Sequence, residues 1–251
     1  FDVTNAFIYV DEVKKVMQEI DRRQNLGMKV PKLCFMVHSS TQNTVQNLYD
    51  NFFSKPQFDK YWYNFQGKPL MLGNKNEVTN ATILNRFTWR NSWAWLNGSN
   101  PNEWSWLEFY PQMPGWSGSR LNREQISVST AQHAHSKIGK SYHDGKQPAL
   151  LPNGTTTVTG QGLYYNEQWK RAHTMNAQHV MITQFNEWQA MRFIADGRDG
   201  MIVDYVRPGG KRISSESVFI DAYNAEFNRD IEPSSDPILR DNYLMQTVNH
   251  I

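Results

Sequence analysis

Val180-Met181-Ile182-Thr183-Gln184-Phe185-Asn186-Glu187-Trp188 is an apolar run that ends abruptly in an amide, a carboxylate and an indole. Its first half has the β-branched, apolar make-up of a buried core strand and is too short for an ordinary helix. The strand therefore delivers Glu187 to a rim, between Asn186 and Trp188. A glutamate placed there has the surroundings of an acid or base that handles sugar. Capping a loop or pairing with an arginine would use the same position.

Working outward, short apolar strands alternate with helical patterns. Phe1 to Asn5 reads as the end of a strand meeting a polar rim. Tyr9 to Asn25 has the spacing of an amphipathic helix through Val13, Val16, Met17 and Ile20, and Gly27 ends it. Pro31 to His38 is a second strand, a helix runs from Thr41 to Ser54, and Pro69 to Gly73 is a third strand. Gln125 to His135 reads as a strand running into a polar rim. Some 30 residues rich in Gly, Pro, Asn and Thr follow it, of the kind that forms a lid or a binding loop. Tyr164 to Asn176 is helical in pattern and leads into the opening strand. Beyond it, Met201 to Asp204 reads as a strand, and Ser217 to Arg229 and Asp241 to Ile251 as helices.

Alternation of this kind predicts a parallel sheet with helices around it, closed as an α/β barrel of the (β/α)8 type. At 251 residues the chain has the length of one such domain spanning 1–251. Only about six strands are found where a full barrel has eight, so the expectation is a barrel lacking its first strands. The 26 basic residues against 24 acidic ones leave a net charge of only +2 without basic runs, which argues against a nucleic-acid partner. No apolar run approaches the ~20 residues of a membrane helix. The single cysteine, Cys34, lies in a strand-like run and reads as a packed thiol.

On the barrel expectation, the carboxyl-end face receives Asp2, Asn5, His38, Glu108, His133, His135 and the Asn186-Glu187-Trp188 run. Three of these are carboxylates, and glycoside hydrolysis needs two of them, one protonated and one ionised. Glu187 leads. Asp2 serves as nucleophile or base, or else simply accepts hydrogen bonds from its own loop. Glu108, inside Trp106-Leu107-Glu108-Phe109-Tyr110, is an acid candidate if buried, or a partner of Arg90. Trp93 and Trp95 belong to a tryptophan-rich middle segment that either lines a sugar cleft or packs as core. His133 and His135, two apart on a strand, share a face but lack a third ligand, so they hydrogen-bond a ligand or a loop and no metal is expected. Gly-x-Ser-x-Gly, P-loop and Gly-x-Gly-x-x-Gly motifs are absent, and no cofactor is expected.

The run Ile182 to Trp188 resembles the Phe-Asn-Glu-Trp signature of the glycoside hydrolase family 71 and 99-like group, which includes endo-α-mannosidases and α-glucanases. The segment Tyr223-Asn224-Ala225-Glu226-Phe227-Asn228-Arg229-Asp230-Ile231-Glu232-Pro233 looks like one found after the barrel in bacterial relatives. The resemblance implies a secreted or cell-surface carbohydrate-degrading enzyme with Glu187 in its site. In the family 99 mannosidases a second catalytic glutamate follows three residues later. Here that position is Ala190, so the partner must come from elsewhere. The alternative that this departure raises is a carbohydrate-binding chain without catalysis.

Overall fold

The computed structural model describes residues 1–132, 136–187, 192–194, 217–219 and 224–251. The chain divides into two compact units, Phe1–Trp104 and Ser105–Ile251.

In the first unit, helix α1 (Val10–Asn25) buries Val13, Met17 and Ile20, one stripe at helical spacing, with Asp11 and Glu12 in its first turn and Arg22 and Arg23 in its last. Val16, expected on that stripe, is exposed at its margin. Strand β1 (Phe35–Met36), helix α2 (Thr41–Leu48), the antiparallel pair β2 (Asn64–Phe65) and β3 (Lys68–Leu72), helix α3 (Ala81–Arg86) and strand β4 (Thr88–Arg90) follow. Both β1 and β4 pair with β3 in parallel, in the registers Phe35↔Met71 and Met71↔Trp89. Single parallel bridges, Asp2↔Met36 and Asn91↔Glu103, extend the pattern on either side. A π-helical turn over Tyr49–Phe53 prolongs α2 and buries both Phe52 and Phe53, and Phe53 lies 4.3 Å from the Trp62 ring. The Asn80 side chain caps α3 by accepting from the backbone N–H groups of Thr82 and Ile83.

In the second unit, β5 (Gly115–Ser117) pairs antiparallel with β6 (Ser119–Val128). Helix α4 (Leu163–Met175) then crosses to β7 (His179–Ile182), which is parallel to β6 with Ile126 opposite Val180. Alternation along β6 sends Ile126 and Val128 into a cluster with Tyr165, Trp169 and Ala172 of α4 and Tyr243 of the last helix, α5 (Asn242–His250). Strands β8 (Arg192–Ile194) and β9 (Ser217–Phe219) form an antiparallel pair.

The expected (β/α)8 barrel is not what forms. The described strands make a four-stranded sheet, a three-stranded sheet and a two-stranded pair, and none of them closes. Strand and helix alternation is local, whereas closure requires a matched shear around all the strands, and the antiparallel pairings of β2 and β5 interrupt the parallel series. The strand expected to be buried is half-exposed: β7 ends the three-stranded order and Val180 is 39% exposed. Where a helix is expected over Ser217 to Arg229, the described residues form β9 over 217–219 and a turn from Asn224 onward. The Asn224 side chain accepts from Phe227 N–H and that of Asn228 from Asp230 N–H, so local amide bonds compete with a helix there. The strand expected at Met201 to Asp204 lies outside the described residues.

Two close approaches generate predictions. A Cβ on Gly139 would stand 2.3 Å from Glu226 Oε1, a fully buried carboxylate. Gly139→Ala is expected to cost about 2 kcal/mol or more, read as the shift of a denaturant midpoint. Trp169, His173 and His250 form a triangle of rings, Trp169 lying 5.6 Å from His173 and 4.9 Å from His250, and the two imidazoles 5.7 Å apart. Burial, and then the neighbouring His173, hold the His250 pKa below its ordinary value. The unfolded chain therefore takes up this proton first. The stabilisation from neutral His250 is present above the ordinary histidine pKa and is lost as pH falls through it to the lowered folded value. His250→Gln should flatten the pH dependence of the unfolding free energy between about pH 7 and pH 5.

Candidate functional site

Because β1, β3 and β4 are parallel, their carboxyl ends share one rim in the first unit. Four sequence-predicted residues sit on or beside it. His38 follows β1 and Trp93 follows β4, and their rings stack at 3.7 Å with an interplanar angle of 24°. Both are exposed, Trp93 at 39%. This leaves a flat aromatic surface at a strand end, the kind of face on which a sugar ring packs. Asp2 bridges Met36, and its Oδ1 accepts from Thr4 N–H at 2.9 Å, so the carboxylate serves its own turn. Asn5 repeats the motif, accepting from Phe7 N–H while its Nδ2 donates to the Tyr9 hydroxyl. Trp95 is exposed at 39% in a left-handed backbone conformation, φ 56°.

Cys34 packs as expected of it. Its Sγ approaches the Leu70 carbonyl at 3.3 Å, and burial pushes the thiol up to about 11. A thiol so raised is no nucleophile at neutral pH.

The second unit holds the other two carboxylates. Glu108 is 3% exposed and takes a short hydrogen bond from the Ser105 hydroxyl at 2.5 Å. Its backbone carbonyl accepts the side-chain amides of Gln132 and Gln168. Both amides also donate to the Tyr164 hydroxyl, a buried phenol whose pKa burial raises. Glu108 is thus one node of a buried polar layer. Glu187 differs from it in every respect. It is exposed, as is Asn186 before it, and it is held through its backbone: its N–H donates to Asp230 Oδ1 at 2.7 Å. The Gln184 side chain donates to the same oxygen at 3.0 Å, and Glu232 N–H bonds the Phe185 carbonyl at 3.0 Å.

The two stretches on which the resemblance rests therefore lie against each other. Asp230, 6% exposed, joins them together with Glu232, and sequence reasoning gave it no role, placing it just past a helix expected to end at Arg229. The signal was available in Pro233, since the residue before a proline is biased away from helix, and in Asn228, which favours a local turn. Asp230 has buried charged neighbours in sequence and in space: Glu226 and Lys140 are 0% exposed and Arg229 1%. Burying charge costs several kcal/mol per group unless each is paired or hydrogen-bonded, so this unit concentrates polar satisfaction around the 224–232 segment.

Asp2 and Glu187 belong to different units, whereas Glu108 and Glu187 share one. Trp188, His133 and His135 lie outside the described residues, as does Ala190. Among the described residues no three of His, Cys, Asp and Glu are grouped so as to hold a metal ion, and no helix is long and apolar enough to cross a membrane. Compared with known proteins, the chain matches no family model, no curated protein and no solved structure.

The anchoring of Glu187 yields a prediction that needs no substrate. In Asp230→Ala the Glu187 amide loses its acceptor, and its hydrogen exchange should accelerate by about tenfold or more relative to the native chain. Asp230→Asn, which keeps a carbonyl oxygen in place, should retain most of the protection.

Proposed function

We propose that this chain acts on a polysaccharide or oligosaccharide as a glycoside hydrolase in which Glu187 is the acid/base. The observation that carries the reading is the mode in which Glu187 is held. Glu187 is exposed and its backbone N–H is pinned to buried Asp230, so its carboxyl group is presented from a fixed main-chain position, which supports positioned proton transfer to a glycosidic oxygen. Neighbouring Phe185, 49% exposed, adds an apolar surface beside it. The exposed His38 and Trp93 pair is a second surface suited to sugar faces. The same reading places the protein outside the cell or at its surface, where polysaccharide is met.

A second reading, glycan binding without cleavage, is favoured by one specific observation. Both carboxylates proposed as partners have work in the fold: Asp2 accepts from Thr4 N–H and Glu108 from Ser105 Oγ. The two readings part in one experiment. The native chain and Glu187→Gln are incubated with soluble starch, α-mannan, cellulose and xylan, and both reducing-end release and retention on the insoluble glycans are measured. Hydrolysis predicts that one glycan is cut and that the variant is slower by ~10²–10⁴-fold while retention is unchanged. Retention without cleavage by the native chain selects the second reading. Cleavage that survives the substitution removes Glu187 from the chemistry.

A further inference from the structure

We propose that the first unit carries a binding site for a neutral sugar, separate from Glu187, in a cleft of about 730 Å³ between the loop after β3, the end of α3 and the turn at 101–103. The volume falls in the ~300–1,000 Å³ range of small-ligand sites. The chemistry of the walls, more than the size, selects the ligand.

Asn76, Asn85 and Asn102 reach this cleft from three different segments. All three are exposed, and their side-chain amides make no hydrogen bond among the described residues. Behind them stands a fixed layer: Asn74 donates to Glu77 at 3.1 Å and accepts from Asn76 N–H, and Asn91 Nδ2 donates to Glu103 at 3.3 Å. The base is aromatic. Phe87 and Trp89 are 3% and 8% exposed, and the Trp89 indole N–H donates to the Leu84 carbonyl at 3.1 Å, which fixes its ring.

A carboxamide donates and accepts at once, and so does a sugar hydroxyl, so three carboxamides above an apolar base match a ring that has polar edges and an apolar face. An apolar ligand would desolvate the three amides without offering partners. Three charges line the cleft, Lys75, Arg90 and Glu103; Arg90 is buried, with its guanidinium over the Phe65 and Trp104 rings and a hydrogen bond to the Trp89 carbonyl, so an anion would meet Glu103 and a cation would meet Lys75. A neutral polyhydroxylated ligand is left. The site lies in the other unit from Glu187 and stands whether or not the chain cleaves glycans.

The test uses the full ¹⁵N-labelled chain in the Glu187→Gln background, so that no ligand is consumed, and follows the side-chain amide resonances of Asn76, Asn85 and Asn102. Maltohexaose, cellohexaose and α-mannohexaose are titrated, with hexagalacturonate as the charged counterpart. At least one neutral hexasaccharide should shift these resonances with a Kd of about 10 mM or tighter. Asn76→Ala with Asn102→Gly should weaken that response by about tenfold and leave the backbone spectrum otherwise unchanged. Glycine is used at 102 because Asn102 has φ 64°, which alanine adopts at a cost. The absence of a shift with all three neutral sugars would overturn the proposal. So would an unchanged affinity in the double variant, or a tightest response to hexagalacturonate. Because turnover is never read, none of these results bears on the role of Glu187.

Discussion

The long connection of the second unit depends on one buried carboxylate, Glu226. Glu226 is inaccessible to solvent, and its two oxygens accept four hydrogen bonds from the long connection between β6 and α4. Oε1 takes Ser141 N–H and the Gln147 side-chain amide, both at 2.8 Å. Oε2 takes the hydroxyls of Ser141 at 2.8 Å and Thr159 at 2.6 Å. A carboxylate so placed would cost several kcal/mol without these donors, so the connection cannot lift away without stranding the charge. A stretch rich in glycine, proline and polar residues, with little apolar surface of its own to bury, is thereby ordered from within.

The consequence reaches Glu187 through covalent and hydrogen-bonded steps. Two residues past Glu226, the Asn228 carbonyl accepts from Lys140 Nζ, on the connection that Glu226 itself holds. The Asn228 side chain then accepts from Asp230 N–H, and the Asp230 carboxylate accepts from Glu187 N–H. The links satisfy polar groups that are buried or partly buried, Lys140, Asn228 and Asp230 among them. The position of the Glu187 backbone is set by this series more than by its own strand, since β7 stops at Ile182, five residues earlier. The neighbouring layer of Gln132, Tyr164 and Gln168 works by the same physics, with amides spanning between the Glu108 carbonyl and the Tyr164 hydroxyl.

What was legible in the sequence was what is local. The apolar spacing of Val13, Met17 and Ile20 found α1, and the patterns after Thr41, Tyr164 and Asp241 found α2, α4 and α5. The strands at Phe35 and Leu70 were equally plain, since continuous apolar runs between turn residues have few other uses. Closure into a barrel was not legible, because pairing partners are chosen across the chain and an antiparallel partner such as β5 carries the same local pattern as a parallel one. Glu226 and Asp230 were missed for a related reason. Glu226 lies in a segment that reads as helical by apolar spacing and Asp230 just past its expected end, and the competing bonds of Asn224 and Asn228, together with the long-range demand for buried donors, override that period.

Hydrogen bonding distinguishes carboxylates that read alike in sequence. Asp2, Glu108 and Glu187 each follow an apolar or aromatic run. Asp2 spends a side-chain oxygen on a turn and Glu108 spends one on Ser105, so each carboxylate is part of the fold's own hydrogen bonding. Glu187 is exposed, and its backbone amide is held by the Asp230 carboxylate. A group held by its main chain can exchange a proton with a ligand without loosening the bond that positions it. A group held by its carboxylate weakens that bond when it takes up a proton, because the neutral carboxyl is a poorer acceptor than the anion. The main-chain bond to Asp230 is the physical support for proposing Glu187, ahead of Asp2 and Glu108, as the acid/base.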